Sequence, residues 1–476
     1  MGEVRTRNTE VGRRVLARAY ESWQRLAPAR ERRLRYVRYT YGDQWSDPAL
    51  DRQGHVVTEG DLVASGGRRP LTNNLIRRMV KSVVGRWRQM SDGIRECDVG
   101  ARGWKTANET GELDARSLEE FLISGMAVQH VGRGADGSVK VEAVSPDAFF
   151  VSGVRDARCS DMEMVGRLLS LTPAELMMRF SHGDRRRAME LKRLYGGMTE
   201  TACVSGLPTT GFARCVGGDF YHAEGGYCRV IEVWTLESAE RWLCHDPLTS
   251  TFRVRDVDGM RGVDALNESR RRQGKSEVVS RWYMRTMWRC RMFAPDGTVL
   301  DEYSSPLAGG GHPFAVKLYP LVDGDVHSLV EDVLEQQRYV NTLITMMDRM
   351  MGTAAKGALL FPVGCKPEGV KWEDVAGAWS DPGGIIPYHP SMGAEPRQVV
   401  TQMADIGARD MLRTQIGLFE DVSGVSSALM GKAQGSGVGH ERFESEVREA
   451  TVAVLDLMHT FDHFVRVRDG IVSRLI

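Results

Sequence analysis

Much that would announce a common function is missing from these 476 residues. No apolar run approaches the roughly 18–20 residues needed to cross a bilayer, and 357–363 stops well short. The opening MGEVRTRNTEVGRR is charged and has no apolar core, so a secretory signal is not expected. The eight cysteines (97, 159, 203, 215, 228, 244, 290, 365) never come closer than twelve residues. That spacing excludes CxxC redox and zinc-knuckle sites and suits the reduced, scattered thiols of a cytosolic protein. Gly424 precedes Gly431-Lys432 by seven positions where a phosphate-binding loop needs five, and Ala433 replaces the hydroxyl that would hold magnesium. Residues 435–439 (GSGVG) lack both the GxGxxG spacing and a preceding strand. GxSxG and HExxH do not occur. His459 and His463 stand i, i+4 beside Asp462, but no third ligand is evident, so a solvated or structural pair is the simpler reading. Asp256/Asp258 and Asp323/Asp325 lie near glycines and read as turn chemistry. No catalytic residue, metal site or cofactor is expected.

What is present suffices for a folded, multi-domain chain. Apolar residues make up 42%, enough for a buried core, and the length predicts two to four domains at about 100–200 residues each. The formal net charge is zero, yet the signs are segregated. Residues 1–38 carry eleven arginines against four glutamates, a net +7. Residues 253–291 hold eleven basic side chains against five acidic, a net +6, and 292–335 reverse this with eight acids against Lys317 alone, a net −7. Such blocks suggest partitioned surfaces, although solvated faces explain them as well.

Along the chain, 9–38 reads as a basic helix with Val11, Val15, Leu16, Ala19, Trp23 and Leu26 on one face, interrupted near Pro28. An aromatic stretch runs from Tyr36 to Trp45, then a polar loop at 46–69 and a helix over 74–90. Ser117 with Glu120 predicts a capped helix over 118–129, and 139–144 alternates as a strand. At Thr172-Pro173-Ala174-Glu175 the cap, the N1 proline and the reciprocal carboxylate coincide, predicting a helix through Phe180. Residues 196–226 read as a long loop, 229–236 as a strand and 263–273 as a helix.

The strand 281–293 is the most informative. Alternation puts Arg281, Arg285, Arg289 and Arg291 on one face and Trp282, Met284, Trp288, Cys290 and Met292 on the other. Pro295-Asp296-Gly297 makes a turn into a return strand over 298–303. Two later segments carry unbroken seams of alternating four- and three-residue spacing. The first runs Val326, Val330, Val333, Gln337, Val340, Ile344, Met347, Met351, with Met346 and Met350 adding adaptable packing; only Gln337 is polar. The second runs from Phe443 through Val447, Ala450, Val454, Leu457, Phe461, Phe464, Arg468, Ile471 and Leu475. These helices would span about 40 Å and about 50 Å, packing along one another, along copies of the chain, or within a bundle. Between them lies a Gly/Ser-rich loop, 423–439.

With these residues in view, the chain resembles a tailed-bacteriophage portal protein of the podovirus-like type. The elements that carry the resemblance are the aromatic–Gly–Gln–Trp stretch ending at Trp45, Leu71-Thr72-Asn73-Asn74-Leu75-Ile76, the segment 331–341 (EDVLEQQRYVN), and 419–431 (FEDVSGVSSALMG) followed by Ser436-Gly437. Their order and spacing cover some 400 residues. The resemblance implies an α+β portal fold with long stem and tunnel helices: a mixed α/β wing at 1–258, a stem helix at 259–279, a small β-containing clip at 280–325, a second stem helix at 326–352, a wing return at 353–424, a tunnel loop at 425–440, and a tunnel helix with a short crown at 441–476. It implies a ring, usually of twelve subunits, at one capsid vertex, assembled in the host cytoplasm. Double-stranded DNA would pass through it without sequence specificity. Its partners would be the terminase large subunit, the head-to-tail adaptor, and major capsid and scaffolding proteins; no membrane is involved. Lys432, Gln434, Ser436 and Arg442 would face the channel. Arg281, Arg285, Arg289 and Arg291 would form a basic clip face for a neighbouring subunit, terminase or DNA. Val333, Val340, Ile344 and Met347 would form an oligomer seam. The rival readings are a nucleic-acid-processing packaging enzyme, a nuclease or ATPase, and a capsid scaffold or adaptor without a channel.

Overall fold

The capping box at Thr172 forms as its sequence dictates. The Thr172 hydroxyl accepts from the Glu175 backbone N–H at 3.2 Å, and the Glu175 carboxylate accepts from the Thr172 N–H at 2.9 Å, starting the helix Pro173–Phe180. The computed structural model describes residues 2–66, 68–95, 102–134, 136–202, 219–223, 225–356, 358–380, 386–389, 395–399, 407–425 and 440–476. The fold is α+β, divided into two compact units: 1–36 with 84–329 and 455–476, and 37–83 with 330–454.

The first unit is built on a six-stranded antiparallel sheet. Its order is Val299–Ser304, Val279–Phe293, Cys228–Asp246, Met164–Leu171, Phe149–Val151, with Thr251–Arg255 paired to the far end of Cys228–Asp246. A second sheet orders Phe314–Leu318, Met126–Arg133 and Val139–Ala143. Near the body both faces of the larger sheet are covered. Ile231, Val233 and Phe293 pack against Leu16, Ala19 and Trp23 of the N-terminal helix Gly2–Arg25. Val230, Trp234, Cys290 and Met292, one residue out of phase, join the main core with Phe149, Val165, Leu176 and Phe180. A helix break at Leu26 separates Gly2–Arg25 from Ala27–Tyr41, two residues before the expected proline.

The second unit contains the hairpin Pro48–Leu50/Val56–Thr58, where a loop was expected, and the helix Glu59–Ser65 capped by Thr58. It also holds most of the helix Leu329–Lys356, the strand pair Ala358–Leu360/Arg397–Val399, and the helices Trp372–Ser380 and Ala408–Ser423.

Several expectations are corrected. Ser117 does not cap a helix. It lies inside Thr110–Ser124 and donates to the Leu113 carbonyl at 2.9 Å, the alternative bond a mid-helix serine makes. That helix stops at Gly125, in the left-handed region at φ 72°, where a methyl group would overlap the His327 carbonyl oxygen. The helix expected at 259–279 is Val257–Arg272, with the Asp256 side chain accepting from the Gly259 N–H at 2.8 Å. The strands of 280–325 are divided among three sheets of the first unit: Val279–Phe293 and Val299–Ser304 join the six-stranded sheet, Phe314–Leu318 joins the second, and Leu321–Val322 pairs with Asp325–Val326.

Candidate functional site

In the second unit, three of the segments that carried the resemblance meet in one buried polar cluster. Gln337, the single polar residue of the first seam, accepts at Oε1 from the Leu75 and Ile76 N–H groups at 2.8 and 3.3 Å. It donates from Nε2 to the Asn73 carbonyl at 2.7 Å and to Asn341 Oδ1 at 3.1 Å. The first N–H groups of a helix have no partner within it, so this side chain caps Leu75–Arg95 from outside. Asn341 accepts from the Asn73 N–H at 3.0 Å and donates to Gln44 Oε1 at 2.6 Å, and Gln44 donates to the Tyr39 carbonyl at 2.7 Å. Trp45 Nε1 reaches Thr72 Oγ1 at 3.1 Å. A cleft of about 580 Å³ opens beside the cluster, walled by Trp45, Leu62, Val63 and Tyr339. Its charged groups Glu59 and Glu335 both pair with Arg338, so it offers shape and aromatic surface and no nucleophile.

The described seam positions are largely buried within the chain, and the side chains of Phe443, Val447 and Ala450 lie outside the described residues. Val333 and Val340 are fully buried in the subunit, and Ile344 and Met347 are half-buried, so the first two are not free for a neighbouring copy. The large apolar side chains exposed on the described part of Leu329–Lys356 are Tyr339, Met346 and Met351. In the terminal helix His440–Leu475, Val454, Phe461, Phe464, Arg468, Ile471 and Leu475 are likewise buried. Arg468 explains its own place in that stripe. Its guanidinium meets Asp114 in the first unit, both residues being 1% exposed, and also reaches Asp469 at 2.8 Å. Gln129 Nε2 donates to Asp114 at 3.1 Å and to Ser117 Oγ at 2.9 Å, completing the set.

A second buried network escaped the sequence reading. Arg167 donates to Glu232 at 2.8 Å and to Glu142 at 2.9 Å, and Glu232 also faces His130 at 3.4 Å and accepts from Trp234 Nε1 at 2.9 Å. Burial raises the Glu232 carboxyl, but Arg167 and His130 outweigh it and hold the group well below the usual carboxylate range. Burial is likewise outweighed at Glu142, which Lys140 and Arg167 lower to about 2. At His130 burial wins and pushes the imidazole down. These ions are fully engaged with one another; they hold two sheets together.

The arginine face divides in two. Arg289 and Arg291 pair within the chain: Arg291 with Glu302 at 3.0 Å and with Glu237, and Arg289 with Glu302 at 3.1 Å. The acidic block downstream thus supplies Glu302 in the same subunit. Arg281 and Arg285 are exposed, with no ion pair among the described residues. Trp288 is buried as expected, packing edge-on against His312, but Trp282 is 52% exposed. Lys432, Gln434 and Ser436 lie outside the described residues; Arg442 falls in the helix His440–Leu475, its side chain outside them too. Asp462 accepts from Trp87 Nε1 at 2.9 Å, and among the described residues no group of three His, Cys, Asp or Glu is placed to hold a metal. Among them no helix is long and apolar enough to cross a membrane.

The polar clusters position backbone and strands. A family model described as Phage P22-like portal protein matches residues 106–467, well over half of the chain. The chain belongs to that family of phage portal proteins. No curated protein matches it.

Proposed function

We propose that this portal protein assembles into a ring at one capsid vertex, through which double-stranded DNA enters during packaging and leaves on ejection. The observation that carries the reading is the family match over 106–467. In this reading the ring docks the terminase large subunit and later the head-to-tail adaptor, joins major capsid and scaffolding proteins during assembly in the host cytoplasm, and does no chemistry of its own. DNA must slide, so tight phosphate contacts along the whole channel would work against transport. The loop 425–440, with Lys432, Gln434 and Ser436, is assigned to the channel, and His440–Leu475 to the tunnel helix.

The structure supports a revised position for the clip. A stem–clip–stem order needs a small β-containing module between two helices. The strand pair Ala358–Leu360/Arg397–Val399 with helix Trp372–Ser380, flanked by Leu329–Lys356 and Ala408–Ser423, has that order. We therefore assign the clip to 358–399.

Light scattering and negative-stain imaging of the purified full chain test the function. Rings with an axial hole are expected. A monomer across micromolar concentrations and a range of salts would sink the proposal, and closed assemblies without a hole would favour the scaffold or adaptor reading.

A further inference from the structure

Beyond Leu236 the strand Cys228–Asp246 leaves the body of the first unit and continues, with Val279–Phe293 and Thr251–Arg255, as a three-stranded arm. The helix Val257–Arg272 closes the tip. Val263 and Met260 pack on Cys244 and Trp242, Asn267 exchanges two hydrogen bonds with the Val278 backbone, and Arg270 grips Asp246 at 2.7 and 2.8 Å. The arm is a built element with a fixed shape.

The register separates its two faces, because paired residues share a side. On one face stand Phe252, Val254 and Val279 with Arg241, Arg281 and Arg285. Phe252 is 66% and Val279 63% exposed, and the paired positions of this face hold no acid from 239 to 245, 252 to 254 or 279 to 285. The other face is covered by the helix only at the tip. Between the helix and the body it exposes Leu236, Trp282 and Met284 around Glu240, with Arg255 at the tip lying against Gly259. Glu240 has no ion pair among the described residues.

We propose that this arm is an intersubunit element, with its arginine-bearing face seated in the Glu240–Trp282 notch of the next copy of the chain. The inference rests on the ring reading and names a surface that helps make the ring. A two-fold contact joins identical patches and would leave the opposite face of every arm bare. Large apolar groups are exposed on both faces, and a head-to-tail contact repeated around a ring covers both. The charges agree: one face is basic with no acid, and the notch it meets carries Glu240. Leu236–Asp246 is about 35 Å long at ~3.3 Å per residue, and three strands ~4.8 Å apart are about 14 Å wide. The third strand lies only opposite Trp242–Asp246, so the open face offers roughly 400 Å² and the part of the other face outside the helix about 200 Å² before side-chain relief is counted; the arm supplies part of the ~1,000 Å² of a specific interface. DNA fits less well, since Val254, Val279 and Phe252 have no complement on a phosphate backbone.

The test uses the full chain with Val279→Cys, Met284→Cys and both together, treated with a short bismaleimide; the wild type sets the background from native thiols. Light scattering of untreated wild type comes first, and a monomer there overturns the ring reading itself. Given rings, the double variant should cross-link into a ladder reaching the full ring. Each single variant should stay monomeric on denaturing gels, and a mixture of the two singles assembled together should give dimers. Dimers from Val279→Cys alone would mean a two-fold contact and overturn the proposal. So would intact rings with no cross-linking in any variant. Phe252→Asp, at a 66% exposed site whose ring stacks on His245, should shift the assembly to smaller species with an unchanged circular dichroism spectrum. Binding of duplex DNA lost in Arg281→Glu/Arg285→Glu rings that otherwise assemble normally would give the face to nucleic acid instead.

Discussion

Gln44 and Asn341 are joined by a hydrogen bond of 2.6 Å between two side chains that are both buried and stand 297 residues apart in sequence. One comes from the aromatic–Gly–Gln–Trp stretch, the other from the segment opening the long helix Leu329–Lys356. The bond belongs to a cluster in which every polar group serves a backbone need: Gln337 caps a helix, Asn341 holds Asn73, and Gln44 holds Tyr39. A buried amide surrounded in this way fixes the register of three segments at once.

Gln337→Leu removes that cap while keeping the side chain's bulk. The buried Ile76 N–H would lose its side-chain acceptor, and the Leu75 N–H would keep only the Asn73 carbonyl at 3.0 Å, at a cost of about 1–2 kcal/mol. A thermal midpoint lower by about 5 °C is expected by scanning fluorimetry. A variant as stable as the wild type would mean that water replaces the amide.

Arg468→Met takes the guanidinium away from Asp114, which is 1% exposed, and about 3–5 kcal/mol of destabilisation is expected. Arg468→Met combined with Asp114→Leu should recover most of the loss, since replacing both ions by apolar groups is often neutral. Denaturant unfolding of the two single variants and the double forms a cycle whose coupling term decides it. A coupling near zero would show that Asp469 and Gln129, not Asp114, hold the guanidinium.

Acid should loosen the first unit in two stages. His312 is pushed down to about 4, first by burial and then by Arg474, while Phe314 donates its N–H to Nδ1 of the neutral ring. Its folded pKa lies below its unfolded value, so the unfolded chain binds the extra proton and stability falls as pH drops from about 6.5 to about 4. Glu142 and Glu232 are held below their unfolded value, so their contribution is present above about 4.5 and is lost as pH falls toward 2. Unfolding monitored from pH 8 to 2 should show both declines, and His312→Gln should reduce the upper one, to which His130, also pushed down by burial, adds. A His312→Gln curve parallel to the wild type between pH 6.5 and 4 would remove His312 as its cause.

The divided arginine face separates stability from assembly. Arg291→Met leaves Glu237 and Glu302 without their closest cation and should cost about 1–3 kcal/mol within the subunit. Arg285→Met touches no ion pair among the described residues and should change subunit stability by less than about 0.5 kcal/mol. Equal thermal shifts for the two variants would contradict the pairing seen here.

Local signals in the sequence were faithful where a short stretch determines its own structure. Thr172-Pro173-Ala174-Glu175 contains every atom its cap uses, so it was legible; Ser117 and Glu120 spelled a similar signature, but the helix had already begun at Thr110. The seams marked buried stripes at Val326, Val330, Val333, Gln337 and Val340, and at Val454, Phe461, Phe464, Arg468, Ile471 and Leu475, while Met351 is exposed. A stripe carries no label for what covers it, and Val333 and Val340 turned out to be covered by their own chain. The strand 237–246 (ESAERWLCHD) was invisible beyond Leu236 because only Trp242 and Cys244 are covered, too short a stretch to impose alternation, and its strand character comes from pairing with Val279–Phe293. The Arg167–Glu232 network gave no signal because its members pair across the sheet, 65 residues apart.

The union of Arg468 with Asp114 also sets a timetable. The first unit is closed by residues 455–476, so at the ribosome it waits with a hole in its core until that helix has emerged. Through that interval Asp114 lacks the Arg468 guanidinium, and burying it would be less favourable. Prematurely terminated chains would carry this defect permanently and be open to proteolysis. A subunit fit to join an assembly is thus, by construction, one whose translation has passed residue 468.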